Sequence, residues 1–172
     1  MVEVMKKVSG KYEENYKAAR INFPKALVLD VTKDGLMKKL DPTYPLGRVE
    51  VPGMKVTGLS LRGVWEGLKI FKRKKEIDVK WMNDERKLGM ERGCKSWGEL
   101  EGIKIGEEVV GVEDGVEIFK ELYERLMQER CWRMLDGIRR EAEKKTVVLL
   151  DYMGGEERPF NHVEMLRGMI AA

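Results

Sequence analysis

Residues 40–71 read LDPTYPLGRVEVPGMKVTGLSLRGVWEGLKIF. Pro42, Pro45 and Gly47 make the first part turn material over Leu40–Gly47. Val49–Val51 and Met54–Val56 are expected to pair as a small ribbon around Pro52-Gly53. Ser60 is a good N-cap, and Leu61, Val64, Trp65, Leu68 and Phe71 then recur at helical spacing. Lys72, Arg73, Lys74 and Lys75 close this helix, where cations suit the macrodipole. One acid, Glu66, stands among the apolar residues, and a carboxylate in such surroundings can have its pKa raised.

On the N-terminal side, Tyr12–Ile21 is predicted as a short helix with Tyr12, Tyr16 and Ala19 on one face, ended by Pro24. Ala26–Val31 (ALVLDV) reads as a short buried strand, stopped at Lys33-Asp34-Gly35. On the C-terminal side, a short helix is predicted within Ile77–Gly93. A Gly-rich loop through Gly98, Gly102 and Gly106 follows it. Asp114 is predicted to cap the longest helix, with Phe119, Leu122, Leu126, Met134 and Ile138 as its buried stripe to about Glu143. Thr146–Tyr152 (TVVLLDY) is the clearest strand, and Asn161 with Glu164 cap a last helix holding Leu166 and Met169. These elements predict an α+β fold: a helix-rich single domain with a small β-sheet. Residues 1–22 read as an N-terminal helical extension and 23–172 as the core.

The 172 residues suffice for one domain with a real core, and 42% hydrophobic content argues against disorder. Charged residues reach 37%, against roughly 25% in ordinary globular proteins. Such a dense mixture suits ion-pair networks of the thermophilic kind. The 33 basic residues nearly balance the 30 acidic ones, so net charge does not indicate nucleic-acid binding, although phosphate contact by Phe71–Glu76 (FKRKKE) stays open. Two cysteines, Cys94 and Cys131, are too few for a disulfide framework or a cysteine zinc site, and one histidine excludes a His-based metal triad. No metal or cofactor is therefore expected. No apolar run approaches a membrane span or a signal peptide, so the expected location is cytoplasmic, with no membrane partner.

Both confident strands end near an aspartate, Asp30 and Asp151, and such positions either line a site or cap the following turn. Glu66 is a candidate acid or base, or simply the partner of Lys69 on a wet helix face. Trp97 can stack on a ring or pack on the core. His162 begins a helix, where a positive charge is disfavoured, and could hold a leaving group or lie idle on the surface.

Tyr44-Pro45 and Ser60–Lys69 resemble the NADAR (YbiA-like) family. Its members carry a turn similar to F-S-N-F-Y-P and then a helix similar to S-V-E-H-x-x-Q-x-x-K. Ser60 and Lys69 match, as does the order of turn and helix. A prokaryotic family with a helix similar to S-V-E-G-I-W-Q-G-L-K is closer still, and that resemblance runs from Ala26 to the C-terminus. The resemblance implies a NADAR-like fold and hydrolysis of a ribosyl N-glycosidic bond in a nucleotide or ADP-ribosylated small molecule. It implies Glu66 and Asp151 as catalytic carboxylates, and Tyr44, Arg62, Lys69, Trp97, Asp30 and His162 as substrate contacts. One departure matters: the family's glutamate falls on Arg62, and Glu66 takes its glutamine position one turn along. The alternatives are a non-catalytic nucleotide or ADP-ribose binder, and an interaction protein using Met127, Met134, Met165 and Met169.

Overall fold

The computed structural model describes residues 1–47, 49–50, 57–58, 60–62, 103–105, 108–110, 112–152 and 161–172. The chain divides into two compact units. One comprises Met1–Asp41, Glu124–Glu157 and Asn161–Ala172, the other Pro42–Tyr123 and Arg158–Phe160.

The first unit is built on a three-stranded, all-parallel sheet. β1 is Val2–Lys6, β2 is Leu27–Asp30, and the strand between them, Val147–Asp151, is numbered β7 in chain order. β7 (VVLLD) is buried at all five positions, as expected of a strand covered on both faces. Val148 aligns with Glu3 and Val28, and Leu150 with Met5 and Asp30. Helix α1 (Tyr12–Asn22) covers that face: Ala19, Ala26, Val28, Val148 and Leu150 form a cluster, with Met5 and Phe23 against it. Two further helices belong to this unit. One is α3 (Trp132–Lys144); the other is α4 (His162–Ala171), which packs on β1, β7 and α3. The Arg139 guanidinium of α3 donates twice to the Met169 carbonyl, at 3.0 and 2.8 Å, and so caps the end of α4.

The second unit holds two small antiparallel ribbons. β3 (Val49–Glu50) pairs with β4 (Thr57–Gly58), and β5 (Ile103–Ile105) with β6 (Glu108–Val110). α2 (Val112–Arg130) has Phe119, Leu122 and Tyr123 buried in this unit; its last residues, from Glu124, belong to the first. The α+β class is as expected, with four α-helices among the described residues.

Several expectations need correction. Residues 1–22 are not simply a helical extension, because Val2–Lys6 is a strand of the sheet; the helix expected over Tyr12–Ile21 is present as α1. On α1 the fully buried side chains are Asn15 and Ala19, while Tyr12 and Tyr16 are exposed. Asn15 accepts from the Val8 and Ser9 amides and donates to the Ser9 and Lys11 carbonyls, which fastens the turn between β1 and α1. The ribbon partner of Val49 is Gly58, further along than Met54–Val56. Asp114 lies inside α2, not at its cap.

The predicted long helix is in fact two, separated at Cys131 (φ −121°, ψ 11°). The Cys131 amide still closes α2 on the Met127 carbonyl. Its own carbonyl accepts from Met134 and Leu135 and so opens α3. The break rotates the stripe, so that Leu135 and Ile138 are buried and Met134 is only half-buried.

Candidate functional site

Chemistry-bearing side chains of the first unit gather at the carboxyl ends of its parallel strands, the end at which open parallel sheets commonly bind ligands. Asp30 ends β2 and Asp151 ends β7, and both are buried. Lys7, just past β1, donates its amide to the Asp151 carbonyl at 2.6 Å. Its side chain reaches over the end of the central strand. Lys7 Nζ lies 2.6 Å from Asp30 Oδ2 and 3.3 Å from Thr32 Oγ1, and sits 4.8 Å from the centre of the Tyr152 ring. Both charged groups are more than nine-tenths buried.

The other Asp30 oxygen, Oδ1, accepts from the Thr32 amide at 3.0 Å and the Thr32 hydroxyl at 2.6 Å. Both oxygens of Asp30 are therefore engaged by the fold. Of its two readings, the turn-capping one is what the geometry shows, with a buried ion pair added. In a pair this close and this dry, removal of either partner leaves the other charge buried and uncompensated.

His162 lies in the first turn of α4, beyond the N-cap Asn161, whose side chain accepts from the Val163 and Glu164 amides. His162 Nε2 is 3.3 Å from the Val31 carbonyl and 3.8 Å from Asp41 Oδ2. A carbonyl only accepts, so Nε2 carries the proton at this contact. The ring thus links the loop after β2 to the start of α4, in a mostly buried setting. It is not an idle surface histidine.

In the second unit, the Arg62 amide donates to the Pro42 carbonyl at 3.0 Å. This bond ties residue 62, where a helix is expected to start, to the turn that carries Tyr44. Ser60 and Leu61 are buried, while Tyr44 and Arg62 are half-buried. Glu66, Lys69 and Trp97 lie outside the described residues, as do Cys94, the basic run 71–76 and the helix expected within 77–93.

Lys7, Thr32 and Asp41 are the residues that sequence reasoning missed. Lys7 lay in the extension ahead of the helix expected from Tyr12, where no strand was expected. Asp41 was visible only as part of the LDPTYP turn. Burial pushes the Cys131 thiol above its ordinary value, against the pull of Lys39 and Arg130. A thiol so placed is a poor nucleophile. Met127 and Met169 are buried and Met134 and Met165 half-buried, so the four methionines do not make an exposed face. Among the described residues no group of His, Cys, Asp or Glu is arranged to hold a metal ion, and no helix is long and apolar enough to cross a membrane.

Four helices and a small parallel sheet among the described residues define an α+β protein. The chain belongs to the family described as a family of unknown function, DUF6939, which matches residues 12–165. No curated protein and no solved structure matches it.

Proposed function

We propose that the chain hydrolyses a ribosyl N-glycosidic bond in a nucleotide or ADP-ribosylated small molecule. The observation that carries this reading is the 3.0 Å bond from the Arg62 amide to the Pro42 carbonyl. It supports reading the turn and the Ser60 helix as one local feature, as the resemblance requires. In the reaction, water adds its oxygen to the anomeric carbon as the carbon–nitrogen bond breaks. The bond's electron pair leaves with the nitrogen, which takes up a proton. The sugar passes through an oxocarbenium-like state that a nearby carboxylate stabilises.

Glu66 is the carboxylate nominated within the Tyr44–Lys69 stretch, and Asp151 is the second nominated carboxylate. Tyr44 and Trp97 suit the base or ribose, and Arg62 and Lys69 suit phosphate. Asp30 is left out of this proposal, since Lys7 and Thr32 occupy both of its oxygens.

A second reading, binding without cleavage, is favoured by Arg62 itself. A cation cannot do a carboxylate's work at a developing oxocarbenium ion, whereas arginine recognises phosphate well.

The test is incubation of the protein with NAD, ADP-ribose, ribosylated guanine and a pyrimidine ribosyl-phosphate, read by mass spectrometry. Release of a free base, abolished in Glu66→Gln or Asp151→Asn, supports the hydrolase. Turnover that survives both substitutions sinks it. A ligand retained without product supports the binder.

A further inference from the structure

β2 is an edge strand, and among the described residues no strand lies on its outer side. An edge normally exposes a row of backbone groups that invites another strand. Which groups face outward follows from the ladder. The Leu27 amide donates to the Thr146 carbonyl, so Leu27 and Leu29 turn their backbone groups toward β7. Ala26, Val28 and Asp30 turn theirs away.

All three of these outward carbonyls are occupied. Arg20 Nη1 donates to the Ala26 carbonyl at 3.0 Å, the Tyr12 hydroxyl to that of Val28 at 2.9 Å, and the Met37 amide to that of Asp30 at 3.2 Å. The first two donors stand eight residues apart on α1, with Tyr16 between them. The Tyr12 and Tyr16 rings are 6.1 Å apart, and the Arg20 guanidinium lies 5.2 Å from the Tyr16 ring. Tyr12, Tyr16 and Arg20 thus form an i, i+4 ladder along one side of α1. The third donor comes from the chain's own return after β2. That return is tight: a Cβ at Gly35 would land on the Asp30 carbonyl oxygen and within 2.6 Å of Asp30 Cγ.

We infer that the Tyr12–Tyr16–Arg20 ladder and the Gly35 return form a built-in shield that prevents the β2 edge from recruiting a strand from a second copy of this chain. An incoming strand must take the outward carbonyls as acceptors. Here each already holds a donor, and two of the donors bring bulky side chains across the path.

The test is the double variant Tyr12→Phe with Arg20→Ala in the full-length protein, compared with wild type. Mass in solution is followed over a concentration series, and backbone hydrogen exchange is followed at Val28 and Asp30. The shield predicts a shift from the wild-type mass toward twice that mass, with exchange at those two amides slowed by about tenfold or more as they enter a new ladder. An unchanged mass with unslowed exchange overturns it. So does association that leaves Val28 and Asp30 unprotected, since the contact then lies elsewhere. Should the double variant lose its circular dichroism, the two single variants decide. Association with protection of Val28 in either one supports the shield, and wild-type behaviour in both overturns it.

Discussion

The middle and the edge of the sheet are stabilised by different means. β7, in the middle, has a ladder on each side and five buried residues, so its stability comes from apolar area removed from water and from backbone pairing. β2, at the edge, has one ladder and alternates between buried and half-buried. Its outer carbonyls depend on Arg20, Tyr12 and the Met37 amide, and its last side chain depends on Lys7 from beyond β1. A middle strand is thus specified mostly by its own residues. An edge strand is specified by residues elsewhere in the chain that happen to reach it.

The comparison breaks most readily at the Lys7–Asp30 pair, which joins the ends of the two outer strands across the middle one. Lys7→Met removes the one cation that, among the described residues, is ion-paired with Asp30, and the acid stays buried. The expected loss is about 3–5 kcal/mol in denaturant unfolding. The double variant with Asp30→Asn should recover a substantial part of that loss, because no uncompensated charge remains. If Lys7→Met alone costs under about 1 kcal/mol, the pair behaves like a surface bridge and the edge does not depend on it.

Leu149→Ala attacks the middle strand instead. Leu149 is fully buried, so truncation removes its transfer free energy and leaves a cavity, for an expected loss of about 2–5 kcal/mol. Unlike the Lys7 variant, no second substitution at a charged partner should restore it. That contrast in rescue, read by equilibrium unfolding of both variants, separates area-based from partner-based stability.

The same distinction explains what could be read in the sequence. TVVLLDY announces a buried strand by composition alone, and Asn161 with Glu164 announces the start of α4. Both signals are local. VEVMK does not announce β1, because a five-residue run with two charges, Glu3 and Lys6, fits a helix or a loop as well, and its strand partner among the described residues is β7, near the other end of the sequence. The end of α2 was hidden for a similar reason. The apolar stripe runs on through Ile138, and nothing in the residues at Cys131 breaks it. That cysteine is buried, with its thiol 3.7 Å from the Lys39 carbonyl, a tertiary contact no local pattern encodes. Of the candidate site, the two strand-end aspartates were legible as a pair of positions. What holds Asp30 was not, since Lys7 reaches it only through the folded sheet.

Gly137 offers a gain of stability away from both strands. It sits exposed in the interior of α3, and a Cβ there would meet nothing within 4 Å. Gly137→Ala should therefore stabilise the protein by about 0.4–1 kcal/mol, through lower unfolded-state entropy and better helix propensity. Thermal unfolding checks it, and the gain should add to a Leu149→Ala background if the two sites act independently.

The smallest effect sharpens the edge itself. Although the Tyr12 side chain is largely exposed, partial desolvation raises its phenol above the ordinary value of 10.0, helped by Tyr16 and then by the charge of Asp30. A phenol whose folded value lies above its unfolded one contributes stability that is fully present below pH 10. The contribution is lost as pH rises through the folded value, because the unfolded chain ionises first. Ionisation also removes the proton that Tyr12 donates to the Val28 carbonyl. Wild-type stability should therefore fall above pH 10 more steeply than that of Tyr12→Phe, the difference growing until the folded phenol has ionised. Parallel pH slopes for the two proteins would mean that the hydroxyl does not hold the β2 edge, and the middle strand would then carry the sheet with little help from its flank.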